Sequence, residues 1–118
     1  MILDSTLTLE LVLTAAKTTN DMDVTVDYIA WTVEGLPTKP TFKRTASNGS
    51  TDVTILAAPL VVGTILEPLR ITVYNKDTAD KIAIVKTTDG TTDYIEVRVS
   101  ITTLKSLVWE KTTGWYTL

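Results

Sequence analysis

Between Leu7 and Thr14 the chain reads Leu-Thr-Leu-Glu-Leu-Val-Leu-Thr, with leucine at every second position. A period of two is the spacing of a strand with one buried face, and a helix would scatter those leucines around its axis. The rest of the chain suits the same geometry. Threonine occurs 24 times among 118 residues, and valine, isoleucine and leucine supply most of the apolar content. Branching at Cβ restricts side chains on a helix but packs well on a pleated surface, with threonine suited to the solvent side. The pattern therefore predicts an all-β fold.

Turn signals divide the chain into about eight short strands. Val24-Thr25-Val26-Asp27-Tyr28 alternates and then changes phase to Ile29, Trp31 and Val33. A phase slip flips the buried face, so a bulge or bend is expected near Tyr28-Ile29, able to carry the strand across two sheets. Pro37 and Pro40 bracket an extended loop, and Lys39, Lys43 and Arg44 are assigned to that connection. Ser47-Asn48-Gly49-Ser50 is a tight-turn signal leading into Val53–Ala57. Asn48-Gly49-Ser50 is also formally a glycosylation sequon, but the turn reading is preferred because no secretory signal is visible at Met1-Ile2-Leu3-Asp4. Leu69, Ile71 and Val73 share a face. Ile82–Val85 forms the next strand after the polar turn Asn75–Asp80, and Asp89-Gly90 marks a hairpin that returns with Ile95, Val97, Val99 and Ile101 inward. Leu107–Trp109 and Trp115–Leu118 make a last hairpin around Lys111–Gly114. The expected architecture is one domain over residues 1–118, an antiparallel β-sandwich or jelly-roll-like barrel.

Composition narrows the chemistry. Zero Cys and zero His remove thiolate catalysis, disulfides, the usual general base and the commonest zinc ligand. A net charge of −3 gives no general attraction to nucleic acid or to anionic membranes. No apolar run approaches the roughly 20 residues of a membrane-spanning helix. Asp21, Asp23 and Asp27 form the densest acidic cluster, but without calcium-loop spacing they read as a solvated strand face. Lys105 and Ser106 are neighbours on a strand and point to opposite faces, so they form no nucleophile pair. Five scattered glycines make no phosphate-binding loop. Neither catalysis, nor a metal, nor a cofactor is expected.

The candidate contact residues are the basic group Lys39, Lys43 and Arg44, and the aromatic pair Trp115-Tyr116. A terminal strand at Trp115-Tyr116 would either complete a sheet or add to a neighbour's. Trp31 and Trp109 are assigned to the core. An N-terminal arm through Leu3 or Thr6 is open to exchange between subunits.

From Leu69 onward the order of motifs is distinctive: Val73-Tyr74-Asn75-Lys76-Asp77-Thr78-Ala79, an inner strand, Asp89-Gly90-Thr91-Thr92, a valine-rich strand, and Gly114-Trp115 near the end. The first half follows with a leucine-rich strand, Thr18-Thr19-Asn20, then Asn48–Val53 before Ala57-Ala58-Pro59. This layout resembles a group of small virion-associated proteins of tailed bacteriophages and prophages. Two departures stand out. Lys86-Thr87 precedes Asp89-Gly90 where a more Asn/Asp-rich turn is expected, and Leu104–Leu107 replaces a glycine-bearing turn. The resemblance carries over no catalytic residue. It implies a capsid decoration or cement protein on the outer face of the head, made in the bacterial host cytoplasm. Its expected partners are the major capsid protein or other virion proteins and further copies of itself, with no nucleic acid and no membrane. A tail, neck or fibre-base component is the alternative within that class. From another class, exposed Trp31 or Trp115 would suit a carbohydrate-binding module.

Overall fold

The leucines of the opening alternation all reach the core. In the computed structural model, which describes residues 1–118, β1 (Thr8–Leu13) buries Leu9, Leu11 and Leu13 and turns Thr8, Glu10 and Val12 outward. Eight further strands follow: β2 (Asp23–Trp31), β3 (Thr41–Ala46), β4 (Val53–Leu56), β5 (Ile65–Tyr74), β6 (Lys81–Thr88), β7 (Asp93–Ile101), β8 (Ser106–Glu110) and β9 (Gly114–Thr117). There is no helix.

The strands form two antiparallel sheets, in the orders β4-β1-β6-β7 and β3-β2-β5-β8-β9. Inward-facing residues of both sheets make one core, with Leu11 and Val85 meeting Val24, Val26, Ile71, Val73 and Leu107. Burying each of these is worth on the order of 2 kcal/mol. Leu3 joins them, exchanging two backbone hydrogen bonds of 2.8 Å with Leu66, so the N-terminal arm seats in the chain's own core. The fold is thus a β-sandwich, with free sheet edges rather than a closed barrel.

Four details differ from the sequence pattern. The first is a ninth strand. Lys43 and Arg44 lie on β3, hydrogen-bonded along β2, and not in a loop. Thr-Phe-Lys-Arg-Thr-Ala shows no apolar alternation because an edge strand buries little on either side. Second, the bulge expected near Tyr28 is present, as a register shift between Asp27 and Tyr28 against β5. It does not carry β2 between sheets, since β2 pairs with β3 and β5 along its length.

Third, β5 starts at Ile65 and runs through Pro68. Proline is tolerated there because it sits at that bulge, where pairing to β8 has not begun; the first partners are Arg70 and Glu110. Leu69 is the extra residue and is only half-buried. Fourth, Ile95 points out and is 59% exposed. A second bulge makes Val85 face Val97 and Lys86 face Ile95, leaving Glu96 unmatched and reversing the phase of the strand before it.

Connections sort by end. The links β1–β2, β3–β4, β5–β6 and β7–β8 all cross between sheets at one pole. The hairpins β2–β3, β6–β7 and β8–β9 and the crossing β4–β5 lie at the opposite pole.

Candidate interaction surfaces

At the crossover pole, two connections are tied together by one side chain. Asp77 is 1% exposed, and its carboxylate accepts hydrogen bonds from the backbone N–H groups of Thr18 (2.8 Å), Thr19 (2.7 Å), Asn20 (3.1 Å) and Thr78 (2.8 Å). Burial is the largest single influence on this carboxyl and pushes its pKa up. The four N–H donors together outweigh burial and hold it far below the ordinary carboxylate value. Lys81 Nζ, at 3.8 Å, adds a nearby positive charge.

Asn75 is completely buried beside it. Its side-chain amide donates to the carbonyls of Ala79 (3.0 Å) and Ile101 (2.8 Å), and its Oδ1 accepts the Asp77 N–H (2.9 Å). The Asn75 backbone donates to Lys105 and accepts from Leu104, while the Thr103 hydroxyl donates to the Asp77 carbonyl. Leu104 itself adopts φ 61°, a left-handed conformation that glycine reaches without strain. At the fourth connection, Met22 N–H donates to the buried Ser47 hydroxyl, and Asn48-Gly49 turns with Thr51 bonding back to Asn48. A Cβ on Gly49 would stand 3.2 Å from the Ala16 backbone.

The outer face of the four-stranded sheet carries a charged group. Lys86, on β6, bonds Asp93 (2.9 Å) and Asp52 (3.1 Å), with its own side chain 8% exposed. The bond to Asp93 raises the Lys86 pKa, burial works against it, and Asp52 adds to the rise. Asp93 is lowered by the same contact. Glu10, across from Lys86 on β1, is raised by burial first and then by Asp52. This is a set of structural ion pairs joining β6 to β7 and to the residue just before β4, and it lies where Lys86-Thr87 departs from the resembled pattern.

The sequence-predicted contact residues do not form one site. Lys39 is exposed in the β2–β3 hairpin. On β3, Lys43 pairs with Val26 and so lies on the core-facing side of the edge, while Arg44 lies on the outer face with its guanidinium 5.7 Å from the Phe42 ring centre. At the opposite edge of the same sheet, four strand spacings or about 19 Å away, β9 pairs with β8. There Trp115 turns inward against Trp109, with ring centres 6.4 Å apart, whereas Tyr116 covers Val108 on the outer face. The pair is split between two faces. Trp109 is core, while Trp31 is half-buried with its indole N–H out of solvent and without a hydrogen-bond partner. Of the acidic cluster, Asp21 pairs with Lys17 and Asp23 with Lys76, and Asp27 stands opposite Arg70.

All four sheet edges are blunted against strand addition. Strands β4 and β9 have four residues each, β3 points Lys43 to its core side, and β7 has the bulge at Glu96, whose carboxylate accepts a long 3.5 Å bond from Thr87. Short edges, inward-turned charges and bulges are the recognised means of discouraging lateral pairing.

The surface that the sequence pattern does not announce is at the hairpin pole. Leu60 is fully exposed, Val62 is 81% exposed, and Val61, Val33 and Leu36 are each at least 60% exposed. The two loops meet where Gly63 packs on Val33; a Cβ on Gly63 would be 3.5 Å from the valine side chain. An uninterrupted Leu-Val-Val between Pro59 and Gly63, with no alternation and turn residues on both sides, is the signal that could have marked it.

A scan of the chain against protein-family models returns no match, and neither the curated proteins nor the solved structures yield one.

Proposed function

We propose that the chain is a structural protein of a tailed-bacteriophage particle, a capsid decoration or cement protein that reinforces the head lattice by protein–protein contacts. One observation carries the reading. The segments on which the resemblance rests, Thr18-Thr19-Asn20 and Asn75–Ala79, are 57 to 59 residues apart and meet in one hydrogen-bonded knot at Asp77. Two stretches of one layout that serve a common piece of structure are what the resemblance leads one to expect, and these two share the Asp77 clasp. Even the departure at Leu104 supports it, because the residue standing in for a glycine-bearing turn adopts φ 61°.

Contacts of modest individual strength suffice on such a lattice, because many copies bind a repeating surface. The experiment is quantitative mass spectrometry of particles of the phage or prophage that encodes the chain. Copies comparable to the major capsid protein are expected. A few copies per particle would move the chain to the neck or tail, and its absence from particles would overturn the virion reading.

A further inference from the structure

We propose that the hairpin pole is the docking surface, and that Leu60, Val61 and Val62, with Val33 and Leu36 beside them, insert into a concave apolar cleft with a cationic rim on a larger protein. This rests on the virion reading above, which supplies the larger protein as a unit of the particle's lattice.

Five large apolar side chains at least 60% exposed gather in two touching loops at one end of the molecule. Scattered apolar residues on a surface are ordinary; a contiguous group is a mark of an interaction site. Full exposure of Leu60 means that the loop protrudes, and a protrusion is complemented by a recess.

Area decides against a second copy docked pole to pole, and the chain's own surface has no pocket to receive the loops. The molecule measures 46 × 29 × 20 Å, the long dimension following the strands, so a pole presents about 600 Å² in projection. Two poles meeting would cover about 1,200 Å² in total even if flat, at the foot of the range for stable interfaces. Two convex tips would cover less. A cleft also covers the flanks of the loops and so gains area that a tip-to-tip contact lacks.

Charge supplies the rim. Glu34 is exposed in the turn between Val33 and Leu36 and forms no ion pair, while the other unpaired charge of the hairpin, Lys39, lies beyond the Trp31–Pro37 bridge and away from the tip. A cation beside the cleft would meet it, steering approach and fixing orientation. The blunted edges of both sheets leave this pole as the better route to a partner than strand addition.

The test is co-sedimentation of purified protein with particles assembled without it, comparing wild type with L60D, V62D, E34K and, as an edge control, F42D. The L60D and V62D proteins should bind at least about tenfold more weakly, E34K more weakly with a reduced salt dependence, and F42D as wild type. Unchanged melting temperatures would show that the loss is one of contact. Equal binding by wild type, L60D and V62D overturns this inference and leaves the virion reading standing. No binding by wild type overturns both. Sedimentation equilibrium of the free protein and flotation with phosphatidylcholine vesicles test the other occupants. A dimer abolished by L60D, or vesicle binding abolished by L60D, would make the occupant a second copy or a lipid surface and overturn the protein cleft.

Discussion

The two poles of the sandwich solve opposite problems with the same kind of material, irregular backbone between strands. At the crossover pole one carboxylate accepts four backbone N–H groups, and Asn75 satisfies two carbonyls and one N–H more. At the hairpin pole the segment from Ala57 to Thr64 has, outside the strand ladders, two bonds: Ala58 N–H to the Thr8 hydroxyl and Thr64 N–H to the Val61 carbonyl. Connections packed down on the end of the sandwich bury their backbone and must find partners for it; a loop that protrudes leaves it to water, as the β4–β5 link does although it too crosses between sheets. The difference teaches that stability and contact can be assigned to separate ends, so that apolar groups are displayed where their exposure does not weaken the fold.

The largest effect should come from Asp77. Replacing it with Asn keeps the size but turns an amide NH2 toward donors that need an acceptor, and the melting temperature should drop by on the order of 10 °C. A drop as small as that of an exposed loop substitution would erase the contrast between the poles.

Acid should act most strongly through the same carboxylate. Because the folded-state pKa of Asp77 is lowered, its contribution is fully present above the ordinary value of 3.8 and is lost as pH falls below it. Asp89, lowered by the N–H groups of Thr92 and Thr91, and Asp93, lowered by Lys86, run in the same direction. Glu10, which is raised, runs the other way: its contribution is present below 4.5 and is lost as pH rises through its folded-state value. The net expectation is a melting temperature that declines below about pH 4, with a shallower decline in D77N. Parallel declines in the two proteins would place the acid sensitivity elsewhere.

Leu104→Gly should relieve the left-handed strain while adding freedom to the unfolded chain, for a net gain of up to about 1 kcal/mol by chemical denaturation. A loss would mean that the Leu104 side chain, 67% exposed, contributes more than its backbone costs. Smallest of all, Leu60→Asp should change stability by less than about 0.5 kcal/mol. A larger loss would make the hairpin pole part of the core's support.

Period-two alternation made the strands legible wherever one face is buried, as in β1 and the second half of β5. It failed where that condition fails. Edge strand β3 buries too little to impose a pattern, and the bulge at Glu96 reverses the phase of Tyr94 and Ile95 with no local residue to announce it. The turn motifs were legible as turns, but the meeting of Asp77 with Thr18-Thr19-Asn20 was not, because it depends on the order of strands across two sheets. For the same reason the aromatic pair at Trp115-Tyr116 read as one surface in sequence and proved to be two, one residue on each face of β9.

Residue-resolved hydrogen exchange under native conditions tests the division between the poles most directly. The amides of Thr18, Thr19, Asn20 and Thr78, which donate to Asp77, should exchange as slowly as those of β1 and β6, through global opening. Those of Leu60, Val61 and Val62 should exchange without measurable protection. If the Thr18–Asn20 amides exchange as fast as the Leu60–Val62 loop, the crossover pole is not the clasp of this fold and the account of its two ends is wrong.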